Sequence, residues 1–121
     1  MSKLKDITIK EISEKNLEEE IIYRLKNNVD VKELLLFGSY AHDVPNENSD
    51  IDLVVVLNER GISKNYDEKF LRRRKISTLF QDLRQLLAID LLVYTIDEWK
   101  KLTALNSSFI RDIKAKGIRL I

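Results

Sequence analysis

Two aspartates, Asp50 and Asp52, begin the strongly apolar segment DIDLVVVLN, residues 50–58. Because side chains alternate between the two faces of a strand, we expect these carboxylates to point to the same side. Two unit charges about 4 Å apart repel by roughly 1 kcal/mol in water and about 4 kcal/mol at an effective dielectric of about 20. Mg²⁺ would offset that repulsion, since it is commonly held by one or two carboxylates together with substrate phosphates.

A third carboxylate, Asp90, lies within the apolar segment AIDLLVY, residues 88–94. An acidic group inside an apolar strand costs free energy unless it is paired or binds a metal. If this strand lies beside residues 50–58, Asp90 completes a triad with Asp50 and Asp52. Three carboxylates can bind the two metal ions of a phosphoryl-transfer site. The alternative is a buried ion pair between Asp90 and an arginine.

Gly38 and Ser39 follow another apolar strand, VKELLLFG, residues 31–38. Glycine lets the backbone approach a ligand closely. Free amide groups at the start of a helical turn, together with the Ser39 hydroxyl, suit an anionic phosphate. A strand, a tight turn and a return strand would bring Ser39 and Asp50 to one edge of the sheet.

The motif of Gly38-Ser39, ten residues and then Asp50-x-Asp52 resembles the signature of the DNA polymerase β-like nucleotidyltransferase superfamily. The short chain and the segment NSDIDLVVV are similar to its minimal nucleotidyltransferases. The resemblance implies a mixed sheet flanked by helices, and Mg²⁺-dependent transfer of AMP from ATP to a hydroxyl group with two metal ions. It implies that Asp50, Asp52 and Asp90 are the catalytic metal ligands, and that Gly38 and Ser39 bind the nucleotide.

Minimal nucleotidyltransferases similar to this chain act as antitoxins beside a helical HEPN ribonuclease toxin, which they bind and adenylylate on a tyrosine hydroxyl. The resemblance therefore implies a HEPN-type protein partner. The chain departs from the family pattern at His42-Asp43, where members often carry Arg-Gly. Asp43 adds a negative charge near the expected triphosphate, which favours the alternative of a partner-binding module without turnover. An Asp-x-Asp phosphatase with an aspartate nucleophile is disfavoured by the preceding Gly-Ser pair.

Composition narrows the function classes. The length of 121 residues predicts a single domain, residues 1–121. Lys and Arg number 21 against 20 Asp and Glu, which argues against direct nucleic-acid binding. The chain has no cysteine, hence no disulfide framework. No apolar segment has the length of a membrane span, so we expect a soluble cytoplasmic protein. Whether the chain forms a homo-oligomer is left open by the sequence.

Periodicity predicts an α/β (α+β) fold in which helices alternate with strands. Asn16 is expected to cap a helix over residues 16–28, and the longest helix is expected over residues 67–87. Thr95 and Glu98 have capping-box spacing. The remaining predicted elements are strands at 31–38, 50–58, 88–94 and the terminal IRLI, a helical turn at 39–44, a loop at 45–49, and a last helix capped by Asn106 or Ser107 and closed by Gly117.

A basic run, RRRK, begins at Arg72 within the longest predicted helix. Such a run is usually a solvated helix face. Lys69, Arg72 and Arg73, however, fall on the same side of this helix as the apolar Ile76 and Phe80. Either the helix starts beyond the edge of the sheet, which we favour, or these cations reach toward the phosphates of the nucleotide.

Overall fold

The computed structural model describes residues 14–38, 51–85 and 87–121. The helices and strands within those ranges are α1 (Glu14–Asn28), β1 (Val31–Phe37), β2 (Ile51–Leu57), α2 (Tyr66–Ser77), β3 (Ile89–Thr95), α3 (Ile96–Ala104), α4 (Ser108–Lys116) and β4 (Ile118–Arg119). Two short 3-10 turns, Thr78–Phe80 and Leu83–Gln85, lie between α2 and β3. The predicted turn at 39–44 and loop at 45–49 lie outside the described residues.

The strands form one mixed sheet in the order β3-β2-β1-β4. β1 is antiparallel to both β2 and β4, whereas β2 and β3 are parallel. Parallel neighbours need a long crossover, usually a helix, and α2 with the two 3-10 turns supplies it here. The predicted mixed sheet flanked by helices is therefore confirmed.

Helices cover both faces of the sheet. On one face, α1, the end of α2 and the 3-10 turns pack on alternate strand residues; their buried side chains include Leu17, Ile21, Leu25, Ile76, Phe80 and Leu83. On the other face, Trp99, Phe109 and Ile113 from α3 and α4 pack against Val54 and Val56 of β2. Every residue of β2 except Asp52 is buried, as its near-continuous apolar run predicts.

The first helix begins earlier than predicted. Asn16 lies inside α1, which starts at Glu14, so the prediction that Asn16 is its N-cap is wrong. Glu and Lys are good helix formers, so the polar residues before the apolar stripe do not mark where the helix begins. The predicted stripe itself is confirmed, because Leu17, Ile21 and Leu25 are all buried.

The predicted long helix over residues 67–87 is also wrong, since α2 ends at Ser77. The guanidinium of Arg24 in α1 donates a hydrogen bond of 2.9 Å to the carbonyl of Leu79 and two more to the carboxylate of Asp82. In a continuing α-helix the Leu79 carbonyl would accept from the amide four residues later. Arg24 binds this acceptor instead, in a segment where the chain forms two 3-10 turns after α2 has ended.

The remaining helix boundaries agree closely with the sequence. Thr95 caps α3 and forms a complete capping box with Glu98. Ser107, rather than Asn106, caps α4 through its hydroxyl. Gly117 ends α4 in an extended conformation, and a Cβ there would lie 2.5 Å from the Ile113 carbonyl oxygen, so only glycine fits. In the described part of the chain, no helix is long and apolar enough to cross a membrane.

Candidate functional site

The site is built around the end of β1, where the backbone turns sharply. Phe37, the last residue of β1, is the register partner of Asp52 on β2. Gly38 follows with a φ of +80°, in the left-handed region that favours glycine. A Cβ at Gly38 would overlap Oδ2 of Asp52 and lie 3.2 Å from its Cγ. The Gly38 backbone and the Asp52 carboxylate therefore approach each other more closely than any other residue type would allow.

Asp52 and Asp90 occupy matching positions on neighbouring parallel strands. Their Cα atoms are register partners, so the two carboxylates lie side by side on one face of the sheet. Asp52 is half-buried and takes part in further interactions, whereas Asp90 is exposed. The condition under which Asp90 could join the other acids, that its strand lies beside β2, is therefore met.

The surroundings of Asp90 differ from the sequence expectation. Burial alternates along β3, and Asp90 points away from the core that buries Ile89 and Leu91. The acid is therefore not buried inside an apolar strand, and the alternative of a buried Asp90–arginine pair is wrong. In residues 14–38, 51–85 and 87–121, no ion pair involves Asp90. The sequence did not reveal this exposed face, because Leu92, which lies on the same face as Asp90, is apolar and yet exposed.

Three of the predicted positions can thus be placed together: Gly38, Asp52 and Asp90. Ser39 and Asp50 lie outside the described residues, as does the His42-Asp43 departure. Among the residues that the structure describes, no group of three acidic, histidine or cysteine side chains is arranged to hold a metal ion. Asp52 and Asp90 nevertheless supply carboxylate oxygens, the donor type that Mg²⁺ prefers, from adjacent positions.

The basic residues of α2 lie in two different environments. The guanidinium of Arg72 forms ion pairs with Glu98 and Glu59, each at 3.6 Å, and with Glu68 at 3.7 Å. It also donates a hydrogen bond to the Ser63 hydroxyl. Arg72 therefore joins α2 to α3 and to the loop that precedes α2.

Lys69 and Arg73 lie on another side of α2, where they line a groove between this helix and β3. Asp90 lines the same groove at the beginning of β3. The Lys69 ammonium lies 6.0 Å from the centre of the Tyr94 ring. The two cations thus share a groove with Asp90, the third predicted carboxylate. The helical periodicity predicted that Lys69 and Arg73 share a side of the helix with Ile76. The groove could not be predicted from the sequence, because its lining comes from two separate elements.

Glu98 fixes the loop between β2 and α2. One carboxylate oxygen accepts from the Thr95 amide at 2.9 Å, and the other accepts from the Ser63 amide at 3.0 Å. Burial raises the pKa of Glu98, but these hydrogen bonds and the charge of Arg72 outweigh it and hold the pKa below its ordinary value. Burial also raises the pKa of the Tyr94 hydroxyl, with a smaller contribution from the Glu98 charge.

The mixed sheet aligns Asp52 with Asp90 on parallel strands, beside the glycine turn that follows β1. The family model described as "Polymerase beta, Nucleotidyltransferase" matches residues 19–120. The chain belongs to this family of nucleotidyltransferases, which confirms the family and the class of enzyme predicted from the sequence. A search of curated proteins found no match.

Solved structures share this fold. A crystal structure of a toxin–antitoxin with AMP-PNP has 22% sequence identity and a TM-score of 0.55, covering 86% of this chain and 72% of that one. A mutant of the toxin–antitoxin MntA-HpeT with two aspartates changed to glutamate has 20% identity and a TM-score of 0.51, covering 86% and 71%. A second MntA-HpeT mutant, with a tyrosine changed to alanine, has 21% identity and a TM-score of 0.53, with the same coverage.

Proposed function

We propose that this chain transfers AMP from ATP to a hydroxyl group on a protein partner, and thereby acts as the antitoxin of a toxin–antitoxin pair. The observation that carries the proposal is the alignment of Asp52 with Asp90, next to the close approach of Gly38, in a member of a nucleotidyltransferase family. The proposal assigns Asp52 and Asp90 to metal binding and Gly38 to nucleotide binding.

The metal ligands in this proposal are Asp52 and Asp90, together with Asp50. Two Mg²⁺ ions bound there would neutralise the negative charge that builds up on the phosphoryl oxygens and on the departing pyrophosphate. Without metal, the aligned carboxylates repel each other, so the site is better suited to cations than to an apolar or anionic ligand.

The chain's own groups bind and orient the reactants. The Gly38 turn brings the backbone against the Asp52 carboxylate, and in this proposal the triphosphate lies beside that turn, where Ser39 adds a hydroxyl donor. The exposed Asp90 carboxylate can accept a hydrogen bond from the acceptor hydroxyl and take up its proton as the oxygen attacks the α-phosphorus. Pyrophosphate leaves on the opposite side of that phosphorus.

The partner proposed is a HEPN-type toxin, with a tyrosine hydroxyl as acceptor. Support comes from the solved structures of the same fold, which are toxin–antitoxin complexes, one of them with AMP-PNP. In one mutant complex a tyrosine is replaced by alanine, and in another two aspartates are replaced by glutamate. Those substitutions affect the same residue types that the proposal uses as acceptor and as metal ligands.

The second candidate is a partner-binding module without turnover. The sequence departure at His42-Asp43 favours it, because Asp43 adds a negative charge between the phosphate-binding pair and the aspartates. Repulsion between Asp43 and the triphosphate would weaken nucleotide binding while leaving the partner surface intact.

The two functions are separated by transfer from α-labelled ATP with Mg²⁺, using the complex purified from the native host. We expect label on the partner, and a mass increase of one AMP. Asp52→Asn and Asp90→Asn each preserve shape, remove one carboxylate and should lower the rate at least about 100-fold. Asp112→Asn, an exposed acid on α4, is the matched control and should transfer normally.

Undiminished transfer by Asp52→Asn would contradict the site. A stable complex that shows no label with Mg²⁺ or Mn²⁺ would support the module instead.

A further inference from the structure

We infer that the acceptor reaches Asp90 as part of an extended, acidic peptide segment that lies in the groove between α2 and β3. This inference rests on the proposed function, because it names the surface that presents the acceptor to that site. The groove is a cavity of about 310 Å³ and includes Lys69, Arg73 and Asp90 in its lining.

The strand order decides from which side the acceptor comes. β2 lies between β1, which leads into the Gly38 turn, and β3, which carries Asp90. An in-line displacement needs the attacking and leaving oxygens on opposite sides of the phosphorus. If the triphosphate tail lies at Gly38, the acceptor hydroxyl must approach across β3. The groove is the surface that begins at Asp90 on that side.

The charges in the groove favour an acidic occupant. Lys69 and Arg73 both line it. None of the ion pairs within the described residues involves either of them. Asp90 is the acidic group of the lining, and it lies at the catalytic end. An acidic segment along the groove would therefore meet two cations away from the reacting centre.

The apolar part of the groove is unusually exposed. Tyr66 and Phe70, one turn apart on α2, stack with ring centres 6.3 Å apart and are 78% and 45% exposed. Leu92 on β3 is 36% exposed across the groove. Aromatic side chains beside arginine are typical of protein interfaces, where they become buried on binding. The segment should therefore contribute at least one apolar side chain.

An extended conformation follows from β3 itself. β3 is an edge strand of the described sheet, with β2 on one side. Its outer backbone groups can pair with a peptide strand, and alternate peptide side chains then point toward α2. This arrangement fits a protein segment better than a nucleic acid, which would add phosphate charge beside the carboxylates of the site.

The test uses two synthetic peptides with a central tyrosine and one leucine, flanked by glutamates in one and by lysines in the other. Binding to the full chain is measured by calorimetry, without nucleotide. We expect the acidic peptide to bind and the basic peptide not to bind. The variant Lys69→Glu/Arg73→Glu should weaken the acidic peptide at least about tenfold, whereas Arg74→Glu/Lys75→Glu, with the same charge change on α2, should not.

AMP-PNP binding with Mg²⁺ is measured on the same proteins to separate this inference from the proposed function. Retained AMP-PNP affinity in Lys69→Glu/Arg73→Glu, with weakened peptide binding, supports the groove as an acceptor surface. If AMP-PNP fails to bind the wild-type chain, the proposed function fails, while peptide binding still decides the docking surface.

Three outcomes would overturn the inference. The first is equal binding of the acidic and basic peptides or of neither, and the second is an unchanged affinity in Lys69→Glu/Arg73→Glu. The third is a wild-type dimer, measured by light scattering, that this variant dissociates, because the groove would then be a contact between two copies of the chain. Thermal melting confirms that both charge-reversed variants are folded.

Discussion

The backbone of Gly38 packs against the carboxylate of Asp52 so closely that a single methyl group at residue 38 would overlap Oδ2 of the acid. Gly38 directly follows the strand that pairs with β2, and its φ of +80° lies in the left-handed region. Glycine is therefore required at residue 38 for two reasons: the backbone is left-handed, and only a residue without a Cβ leaves space for the carboxylate of Asp52, a proposed metal ligand.

Gly38→Ala should impair the site beyond its effect on folding. The left-handed backbone with a Cβ costs about 1–2 kcal/mol, and the clash moves the Asp52 carboxylate as well. We expect a lower melting temperature, and a loss of Mg²⁺-dependent AMP-PNP binding that is larger than the loss of stability explains. Calorimetric titration at a temperature where the variant is fully folded measures it.

Gly61→Ala is the matched control for that experiment. Gly61 also has a positive φ, +98°, but it is exposed and a Cβ there meets no atom within 4 Å. This variant should therefore show the backbone cost alone, with nucleotide binding unchanged. If both variants lose nucleotide binding equally, the contact between Gly38 and Asp52 has no functional role.

The alignment of Asp52 with Asp90 predicts that loss of one carboxylate raises the stability of the metal-free protein but reduces its stabilisation by Mg²⁺. Asp90→Asn removes a like charge from a directly opposed pair, so it should stabilise the metal-free protein by up to about 1 kcal/mol. Mg²⁺ should raise the melting temperature of the wild type more than that of the variant. Chemical denaturation in EDTA and in Mg²⁺ tests both, with Asp112→Asn as control; an equal response of all three proteins would argue against a cation between the acids.

Much of the fold follows from local patterns that tertiary packing does not alter. The seven residues of β2 are apolar apart from Asp52, and a strand that is buried on both faces must be central in the sheet. The Thr95–Glu98 spacing likewise marks the beginning of α3, because a capping box depends only on residues three apart. These features could be predicted because the interacting groups are close in sequence.

The end of α2 could not be predicted in this way. The 3-10 segment that follows it is bound by Arg24, which is 55 residues away from the carbonyl of Leu79 that it contacts. The exposure of Asp90 was missed for a similar reason: which face of β3 is covered depends on where α2 and α3 lie, and Leu92 looks like a core residue in the sequence. Both features involve contacts between residues that are far apart in sequence, which local periodicity does not report.

The contact between Arg24 and Asp82 predicts acid sensitivity. The hydrogen bonds from Arg24 hold the pKa of Asp82 below its ordinary value of 3.8, despite the opposing effect of burial. A carboxyl with a depressed pKa contributes stability that is complete above the unfolded pKa and is lost as the pH falls through the folded pKa. Stability should therefore fall below about pH 4, and Asp82→Asn should flatten that fall.

The measurement is the free energy of unfolding between pH 2 and pH 7, roughly the range in which carboxylates titrate. At neutral pH Asp82→Asn should cost about 1–2 kcal/mol, because the Arg24 side chain is only 9% exposed and retains Glu20 as a partner. Asp112→Asn should leave the acid profile unchanged. An Asp82→Asn profile parallel to that of the wild type would show that the pair contributes no pH dependence.

Glu98→Gln should loosen the loop that connects β2 to α2. A glutamine carries one carbonyl oxygen, so either the Thr95 amide or the Ser63 amide loses its acceptor, and Arg72 loses a charged partner. Because Glu98 is buried, we expect a cost of about 1–3 kcal/mol in the free energy of unfolding and faster hydrogen exchange at the Ser63 amide.

Asp97→Asn is a matched control one residue away, at a side chain that is 34% exposed and also accepts a hydrogen bond from a loop amide. It should cost less than about 1 kcal/mol, since solvent screens its charge. Equal costs for the two variants, or unchanged exchange at Ser63 in Glu98→Gln, would show that burial of the carboxylate does not hold this loop.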